Sequence, residues 1–473
     1  MEFVALFAGF ALPWGLGASL LFALNGGGAP GRAAWQWGCG WFVGAFLLTV
    51  WMRALSLAGI PFGTAVIAGP LALATAPLAW LALRRQPDRR TSLRAAAATV
   101  IGRHLAAWQR VVWIALLAWL AARFALLLYE VAVRPLYPWD AWTQWGTKAR
   151  VWFALRTMVP FVFPPDWIST FGAAGYFDAA PNYPATVPLT QVWGALLIGR
   201  WDDALVNFPW WVNGVALGLA VYGALAIRRI PPLGALAGTW LMLSLPILNV
   251  HIALAGYADL AMAAYFTLAA LAALDWTGTR RWQDALLALV LVAACLTVKN
   301  PGKLWALTLL PGVVVALIPR YGLRIAAFGF ALVALLVAIL APTKLSLLGY
   351  QLQGQFRLPW TALADAYLMF GNWNLLWYGL LAAAVLGWRD LLSPGLASLS
   401  VIVGVGLMFL FFGFAFTNAS AWVEDQSTVN RATLHLAPLL VVWMILTFRS
   451  WFASTQTVPA PEAALEDALK EPR

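Results

Sequence analysis

Long apolar runs separated by short polar links dominate the chain, and their length predicts membrane-spanning helices. Crossing the hydrocarbon core of a bilayer takes about 20 residues in a helix, and several runs are somewhat shorter. A membrane β-barrel would instead show short segments of alternating apolar and polar residues. The pattern therefore predicts an all-α, polytopic bundle of about 13 transmembrane helices. The predicted spans are 3–24, 34–57, 63–83, 111–133, 205–227, 233–250, 260–276, 285–298, 304–319, 325–341, 374–388, 395–416 and 433–449.

Composition supports the membrane assignment. The 473 residues are 62% hydrophobic and only 10% charged, whereas soluble domains carry about 25% charged residues. The 29 tryptophans are more than anchoring at the headgroup layer requires, and their flat faces also suit ligand stacking. Cys39 and Cys295 fall inside apolar runs and indicate neither a disulfide framework nor a metal site. Only Glu2 precedes the first run, so we interpret that run as a retained span rather than a cleaved signal.

Lysine and arginine in short links orient the bundle, because cytoplasmic loops are enriched in both. The link after the third run is the most basic, and we place it inside; it contains Arg84, Arg85, Arg89, Arg90, Arg94, Arg103 and Arg110. Alternate counting then also places inside the pairs Arg228 and Arg229, Arg280 and Arg281, Arg320 and Arg324, and the single Arg389. This explains the net charge of +11 without nucleic acid. The polar segment 451–473 is predicted to be a disordered cytoplasmic tail.

The opposite side receives two long aromatic links, at 134–204 and 342–373, and two short ones, at 251–259 and 418–431. Function is therefore expected on the external side. Two stretches of the first link, 140–156 and 185–199, are predicted to be helices lying in the interface. A spanning 185–199 would move basic links outside, which the charge rule disfavours. In the first of these helices, the spacing predicts one shared face for Trp142, Trp145, Ala149 and Trp152.

The stretch 134–150 places one carboxylate, Asp140, directly after a span and among tryptophans and cations. The neighbouring residues are Trp139, Trp142, Trp145, Lys148 and Arg150. The simpler alternative is a loop acid paired with Lys148 or Arg150, since such surface pairs are common and weak. We predict instead a general base at the mouth of a membrane enzyme. Proton removal from an acceptor hydroxyl by such a base contributes about 10²–10⁴-fold in rate.

Four further charged or titratable residues lie at span ends. Asp259 opens a span, where it is either a helix N-cap or a carboxylate facing a polar cavity. Lys299 either snorkels to headgroups, as does its neighbour Lys303, or clamps a phosphate. Arg431 and His435 are spaced to share one face at the outer end of the last span. Arg431 either snorkels to headgroups or, with His435 facing the bundle interior, binds an anionic group. Only three histidines are present, so no His-rich metal site is expected.

Walker, HExxH and GxSxG motifs are absent from the sequence, and no GxGxxG follows a predicted strand, so nucleotide-driven and serine-hydrolase chemistry lack their usual signatures. We predict no cofactor, and no divalent metal is indicated.

Short motifs along this layout resemble the GT-C glycosyltransferase superfamily, from the span before Asp140 to about residue 449. The relatives include protein O-mannosyltransferases, lipid A aminoarabinose transferases and bacterial polyprenyl-phosphate-sugar transferases. The motifs that carry the resemblance are Trp139-Asp140, Tyr183-Pro184 before a helix ending at Gly199, Tyr257-Ala258-Asp259, Thr297-Val298-Lys299-Asn300, and Arg431 before Pro438. The fourth motif matches only with Val298 inserted. Three additional spans precede the matching region, and no sizeable soluble C-terminal domain is expected.

The resemblance implies an inverting transferase with Asp140 as base. Lys299, Arg431 and His435 would hold the donor phosphate, and Asp259 would shape the polar site. Tyr183, Trp139, Trp142 and Lys148 are the further candidate substrate-binding residues.

The implied partners are a polyprenyl-phosphate-linked sugar, membrane lipid and an acceptor glycan, lipid or protein. The implied location is the bacterial inner membrane, with the site on the periplasmic face. The expected organisation is an accessory three-span unit at 1–110, a GT-C-like catalytic domain at 111–450 and the tail.

Two other functions remain open at this point. A lipid-linked polysaccharide polymerase or ligase would also use a long external loop, but we would expect paired arginines there. A lipid or glycan transporter without chemistry would show internal repeats and acids in the middle of spans.

Overall fold

The computed structural model describes residues 1–26, 30–85, 102, 105–173, 175–340, 346–347, 350–351, 356–426 and 428–449. Within these ranges the chain is helical almost throughout, and a hairpin of two short strands is the only sheet. Its strands are β1 (Ser346–Leu347) and β2 (Tyr350–Gln351). Most of the arginine-rich link and the predicted tail 451–473 lie outside the described residues.

The helices of the first half are α1 (Glu2–Asn25), α2 (Pro30–Leu57), α3 (Thr64–Arg84), α4 (Ala107–Val133), α5 (Gly146–Leu155), α6 (Pro164–Ser169), α7 (Thr186–Ile198) and α8 (Phe208–Ile227). A π-helical turn (Ala141–Trp145) precedes α5, and a 3₁₀ turn (Leu205–Asn207) precedes α8.

The helices of the second half are α9 (Pro232–Leu243), α10 (Pro246–Ala253), α11 (Asp259–Thr279), α12 (Trp282–Val298), α13 (Gly302–Thr308), α14 (Leu310–Leu317), α15 (Gly322–Leu340), α16 (Trp360–Ala364), α17 (Leu376–Leu386), α18 (Ala397–Phe416), α19 (Ala421–Glu424), α20 (Val429–Leu434) and α21 (Ala437–Thr447). A second π-helical turn (Asp365–Met369) follows α16, and a 3₁₀ turn (Asn418–Ser420) precedes α19.

Eight helices in the described part are long and apolar enough to cross a membrane, and α9 with α10 makes a ninth if this pair, bent by 63°, is one span. The multi-pass character predicted from sequence is therefore supported. Every predicted span coincides with a helix or a broken helix. Four of them are shorter apolar helices, in the segments Trp282–Val298, Gly302–Leu317, Leu376–Leu386 and Ala437–Thr447, so the count of thirteen stays a prediction.

Helices α1 to α3 share a hydrophobic core with the rest of the bundle. The α2–α8 interface is close because Gly38 and Gly223 bring the backbones together, as small residues commonly do between membrane helices. A Cβ at Gly38 would lie 2.3 Å from the Ala220 nitrogen. Trp41 Nε1 donates to Asn213 Oδ1 at 2.6 Å across the same interface. A second, small cluster of buried residues, Ala18, Phe22, Ala23 and Ala82, lies wholly within α1 to α3. The division of the chain at residue 110 stays a prediction.

Helix α7 differs from its predicted setting in the interface. The helix itself forms, but its residues 186–196 are all buried. Trp193 donates to the Gly9 carbonyl at 3.2 Å, and Thr64 donates to the Leu196 carbonyl at 3.1 Å. A helix that is apolar on all sides is buried on all sides, and α7 carries no charged residue. It therefore packs within the protein instead of presenting one face to lipid.

The predicted helix at 140–156 also forms, but one member of its predicted face is wrong. Trp145, Ala149 and Trp152 are buried together, whereas Trp142 is 47% exposed. The reason is the π-helical turn, which closes hydrogen bonds five residues apart and so rotates Trp142 away from the face that α5 continues. This turn carries the residues next to Asp140.

Candidate active site

Asp259 is the centre of a cluster of charged side chains at the start of α11. Its side chain has no exposed surface, and three basic residues contact it. Lys299 Nζ donates to Oδ1 at 2.7 Å, and His435 Nε2 lies 2.8 Å from the same oxygen. Arg431 donates to Oδ2 from Nε at 3.0 Å and from Nη2 at 2.9 Å. The geometry satisfies both carboxylate oxygens, as a buried anion requires.

Arg431 also connects Asp259 to Asp140. Its Nη2 donates to Asp140 Oδ2, so one guanidinium bridges the two carboxylates. Its Cζ lies 3.9 Å from the centroid of the Tyr257 ring, a cation–π contact. The Asp140 side chain is 21% exposed and that of Asp259 is 0% exposed. Asp140 is therefore the carboxylate of the pair that a solute can reach. We call Asp140, Tyr257, Asp259, Lys299, Arg431 and His435 the Asp259 cluster.

Breaks in the helices place the basic members of the cluster. Lys299 follows the last residue of α12 in an extended conformation, two residues before Pro301. Arg431 lies in α20, and His435 follows it by one helical turn. The predicted spacing of these two residues on one face is therefore confirmed, because both contact the same carboxylate.

Gly256 sets the distance between the link before α11 and the π-helical turn beside Asp140. Its φ is +113°, and a Cβ built there would lie 2.3 Å from the Ala141 Cβ. A side chain at this position would therefore force the two segments apart.

The formal charges of the cluster cancel, since Asp140 and Asp259 face Lys299 and Arg431. The two cations keep 12% and 17% of their side-chain surface exposed. Ammonium and guanidinium groups offer three and five N–H donors, so donors remain for a further anion. The predicted phosphate-binding residues are thus brought together, each already holding a carboxylate.

Lys148 is not part of the cluster. Its Nζ lies 3.0 Å from Asp178 Oδ2 and donates to the Ala180 carbonyl at 2.7 Å, in a pair whose side chains are almost wholly buried. Burial lowers the pKa of Lys148 and raises the pKa of Asp178, because a less polar setting disfavours both charges. The simple alternative of an Asp140–Lys148 surface pair is therefore wrong.

Tyr183 lies beside the cluster rather than in it. Its ring centroid is 5.2 Å from that of Trp145, and the preceding carbonyl, of Asn182, accepts from Asn300 Nδ2 at 3.5 Å. Tyr183 and Lys148 both line a neighbouring cavity of about 590 Å³.

Trp139 and Trp142 flank Asp140 at the surface. They are 66% and 47% exposed, and their rings meet edge to face at 4.9 Å. Exposed indole faces next to a carboxylate suit the apolar face of a sugar ring. Their predicted role in substrate binding is compatible with these positions.

Two residues were not predicted from sequence. Tyr257 stood in the quoted motif without a role, and its contact with Arg431 spans two distant segments. Burial raises the pKa of its phenol. Arg53 lies within an apolar run and was not singled out, although a charge inside a span is a signal for function.

The described residues contain no group of three or more His, Cys, Asp or Glu side chains placed to hold a metal ion. No family model, curated protein or solved structure matches the chain. The argument for function therefore comes from the geometry of the site and from the motifs of the sequence.

Proposed function

We propose that the chain is an inverting GT-C-type glycosyltransferase of the bacterial inner membrane, with thirteen spans and a periplasmic site. It moves a sugar from a polyprenyl-phosphate carrier to an acceptor hydroxyl on a lipid, glycan or protein. The observation that carries the proposal is the bridge between Asp140 and Asp259 through Arg431. Segments more than 100 residues apart in the sequence converge there, and a bundle needs no such cluster merely to fold in lipid.

Asp140 is the base. It is the more exposed carboxylate, and among the described residues only its Oδ2 is held by hydrogen bonding, to Arg431. Oδ1 remains available to accept the proton of an acceptor hydroxyl. The acceptor oxygen then bonds to the anomeric carbon as the bond between that carbon and the phosphate oxygen breaks. Attack from the opposite face inverts the configuration.

Lys299 and Arg431 stabilise the leaving group. Breaking the glycosyl–phosphate bond leaves an additional negative charge on polyprenyl phosphate, and cations placed beforehand lower the energy of that charge. Asp259 holds both cations in position, and His435 completes its hydrogen bonding. The carrier's apolar tail is accommodated by lipid and by the apolar helices below the site.

Replacing Asp140 by Asn tests the base. We expect Asp140→Asn to lower the rate of sugar transfer by at least about 100-fold, because the amide cannot take the proton. Binding of the donor should persist, since Lys299 and Arg431 remain. Transfer is measured with purified protein and radiolabelled polyprenyl-phosphate sugars, and donor binding is measured separately.

Asp166→Asn is the matched control, since Asp166 lies exposed on α6 in the same link and should transfer at the wild-type rate. Full turnover by Asp140→Asn would remove Asp140 as the base. Movement of labelled lipid across vesicles without any transfer would favour a transporter instead.

A further inference from the structure

Arg53 is a charged side chain inside α2 that the proposed reaction does not use. Its Nη2 donates to Thr186 Oγ1 at 2.9 Å, and its Nη1 lies 3.5 Å from Thr49 Oγ1. Among the described residues no carboxylate forms an ion pair with it. A partly buried cation without an anion is costly in a membrane protein. This cost makes Arg53 a candidate for binding an anionic ligand.

The cavity beside Arg53 has the size and lining of a ligand site. Its volume is about 590 Å³, within the range of about 300–1,000 Å³ usual for small-molecule sites. The lining combines the polar groups of Arg53 and Lys148 with an apolar and aromatic wall that includes Leu57, Met158 and Phe161. We call it the Arg53 cavity.

Within this lining the positive charge of Arg53 is not neutralised. Lys148 is paired with Asp178, whose side chain is fully buried, so this second cation contributes little net charge. Arg53 donates two N–H groups to threonine hydroxyls. A guanidinium has five N–H groups, so the others remain for an acceptor. A phosphate or carboxylate fits such a fork with two parallel hydrogen bonds.

The Arg53 cavity is distinct from the Asp259 cluster, since no member of the cluster lines it. Two hydrogen bonds nevertheless lead from Arg53 towards the cluster. Thr186, the partner of Arg53, is 3.0 Å through its hydroxyl from Thr297, which lies two residues before Lys299. A ligand at Arg53 is therefore held next to the segment that carries Lys299.

We propose that the Arg53 cavity binds an anionic amphiphile, with its phosphate or carboxylate on Arg53 and its apolar chain along Leu57, Met158 and Phe161. The proposal stands on the cavity and the unpaired cation and does not depend on glycosyl transfer.

Calorimetric titration of the purified protein in a neutral detergent tests it, with farnesyl phosphate, farnesol and inorganic phosphate as probes. We expect wild-type protein to bind farnesyl phosphate more tightly than either other probe. Arg53→Gln should weaken one binding component by roughly ten-fold or more, because a charge-assisted hydrogen bond is lost. Arg53→Lys, which keeps the charge, should weaken it less.

Arg134→Gln is the control, because it removes the same charge from an exposed pair with Glu130, and it should bind as wild type does. Lys299→Gln separates the two sites, since it should leave the Arg53 component in place. Melting temperature and farnesol binding report whether Arg53→Gln is folded, and Arg53→Lys tests the site if it is not.

Farnesyl phosphate affinities within two-fold between wild type and both Arg53 variants would overturn the proposal and leave Arg53 as a residue that snorkels to headgroups. If farnesol bound as tightly as farnesyl phosphate, the site would not recognise an anion. If inorganic phosphate bound as tightly as farnesyl phosphate, the site would not recognise an apolar chain. Full turnover by Asp140→Asn would reject only the assignment of Asp140 as the base, whereas absence of sugar transfer by the wild-type protein would reject the proposed function. Either result leaves these titrations decisive for the Arg53 cavity.

Discussion

Asp259 forms more ion pairs than any other residue of the Asp259 cluster. Its fully buried carboxylate contacts Lys299, Arg431 and His435. Asp259→Asn keeps the size of the side chain and removes its charge. We expect it to lower the stability of the protein by about 3–5 kcal/mol, since breaking a buried pair leaves its partner uncompensated. The melting temperature in a mild detergent measures this loss.

Glu424→Gln provides the comparison at an exposed pair. Glu424 contacts Arg357 at 2.9 Å, with 46% and 61% of the two side chains exposed. Exposed pairs contribute about 0–1 kcal/mol, so the melting temperature should hardly change. Similar losses in both variants would mean that Asp259 is not the anchor of its cluster.

At the scale of single residues, the sequence predicted the members of the Asp259 cluster better than the pairs that they form. Asp140, Asp259, Lys299, Arg431 and His435 were all candidates, because charge at the end of an apolar run is conspicuous. Their convergence on Asp259 was not predictable, since it depends on how helices far apart in the sequence pack. The same limit explains why the pairing of Lys148 with Asp178 was not predicted and why Arg53 was overlooked.

The π-helical turn and the link before α11 are the elements that position Asp140. They touch at Gly256, where the φ of +113° and the 2.3 Å approach to Ala141 leave no room for a side chain. Gly256→Ala should displace the turn and lower the transfer rate by about 10-fold or more, because small misplacements of catalytic groups are costly. The rate and the melting temperature are measured together.

Gly371→Ala separates crowding from backbone strain. Gly371 has a φ of +69°, also in the left-handed region, but nothing lies within 4 Å of a Cβ there. It should therefore lose some stability and keep its transfer rate. If Gly256→Ala behaves in the same way, contact with Ala141 does not position the base.

The elements themselves were largely predictable, since every predicted span coincides with a helix or a broken helix. Hydrophobic runs of this length leave the backbone little choice in lipid. Two details were not predicted. Periodicity assumes an ideal α-helix, so it missed the π-helical turn that moves Trp142 off its predicted face. The charge rule placed α7 in the interface, whereas α7 is buried within the protein. The bend between α9 and α10 was also outside the reach of a pattern of apolar residues.

The orientation of the whole bundle is a prediction of the arginine distribution. We expect cysteines introduced at Ser169 and Asp390 to lie on opposite sides of the membrane, with Ser169 periplasmic. Both positions are exposed, and the native Cys39 and Cys295 are buried. An impermeant maleimide should label Ser169→Cys in spheroplasts and Asp390→Cys only in inverted vesicles.

Labelling of both cysteines from one side would reject the alternating count of spans. Labelling of Asp390→Cys alone in spheroplasts would show that the bundle has the opposite orientation, with Asp140 on the cytoplasmic side. Either result would also reject a periplasmic reaction.

Arg431 binds Asp140 and Asp259 at the same time, and this has a consequence for the order in which substrates bind. With the carrier absent, this arginine occupies both acids and keeps the outer one restrained. On the proposed function, the incoming polyprenyl-phosphate sugar carries one phosphate, and this phosphate competes with the two carboxylates for the guanidinium of Arg431. Its arrival would loosen Asp140 just when a hydroxyl needs deprotonating. Water or acceptor entering an empty enzyme would meet a carboxylate still held by Arg431, so the proposed function predicts that the carrier binds before the acceptor.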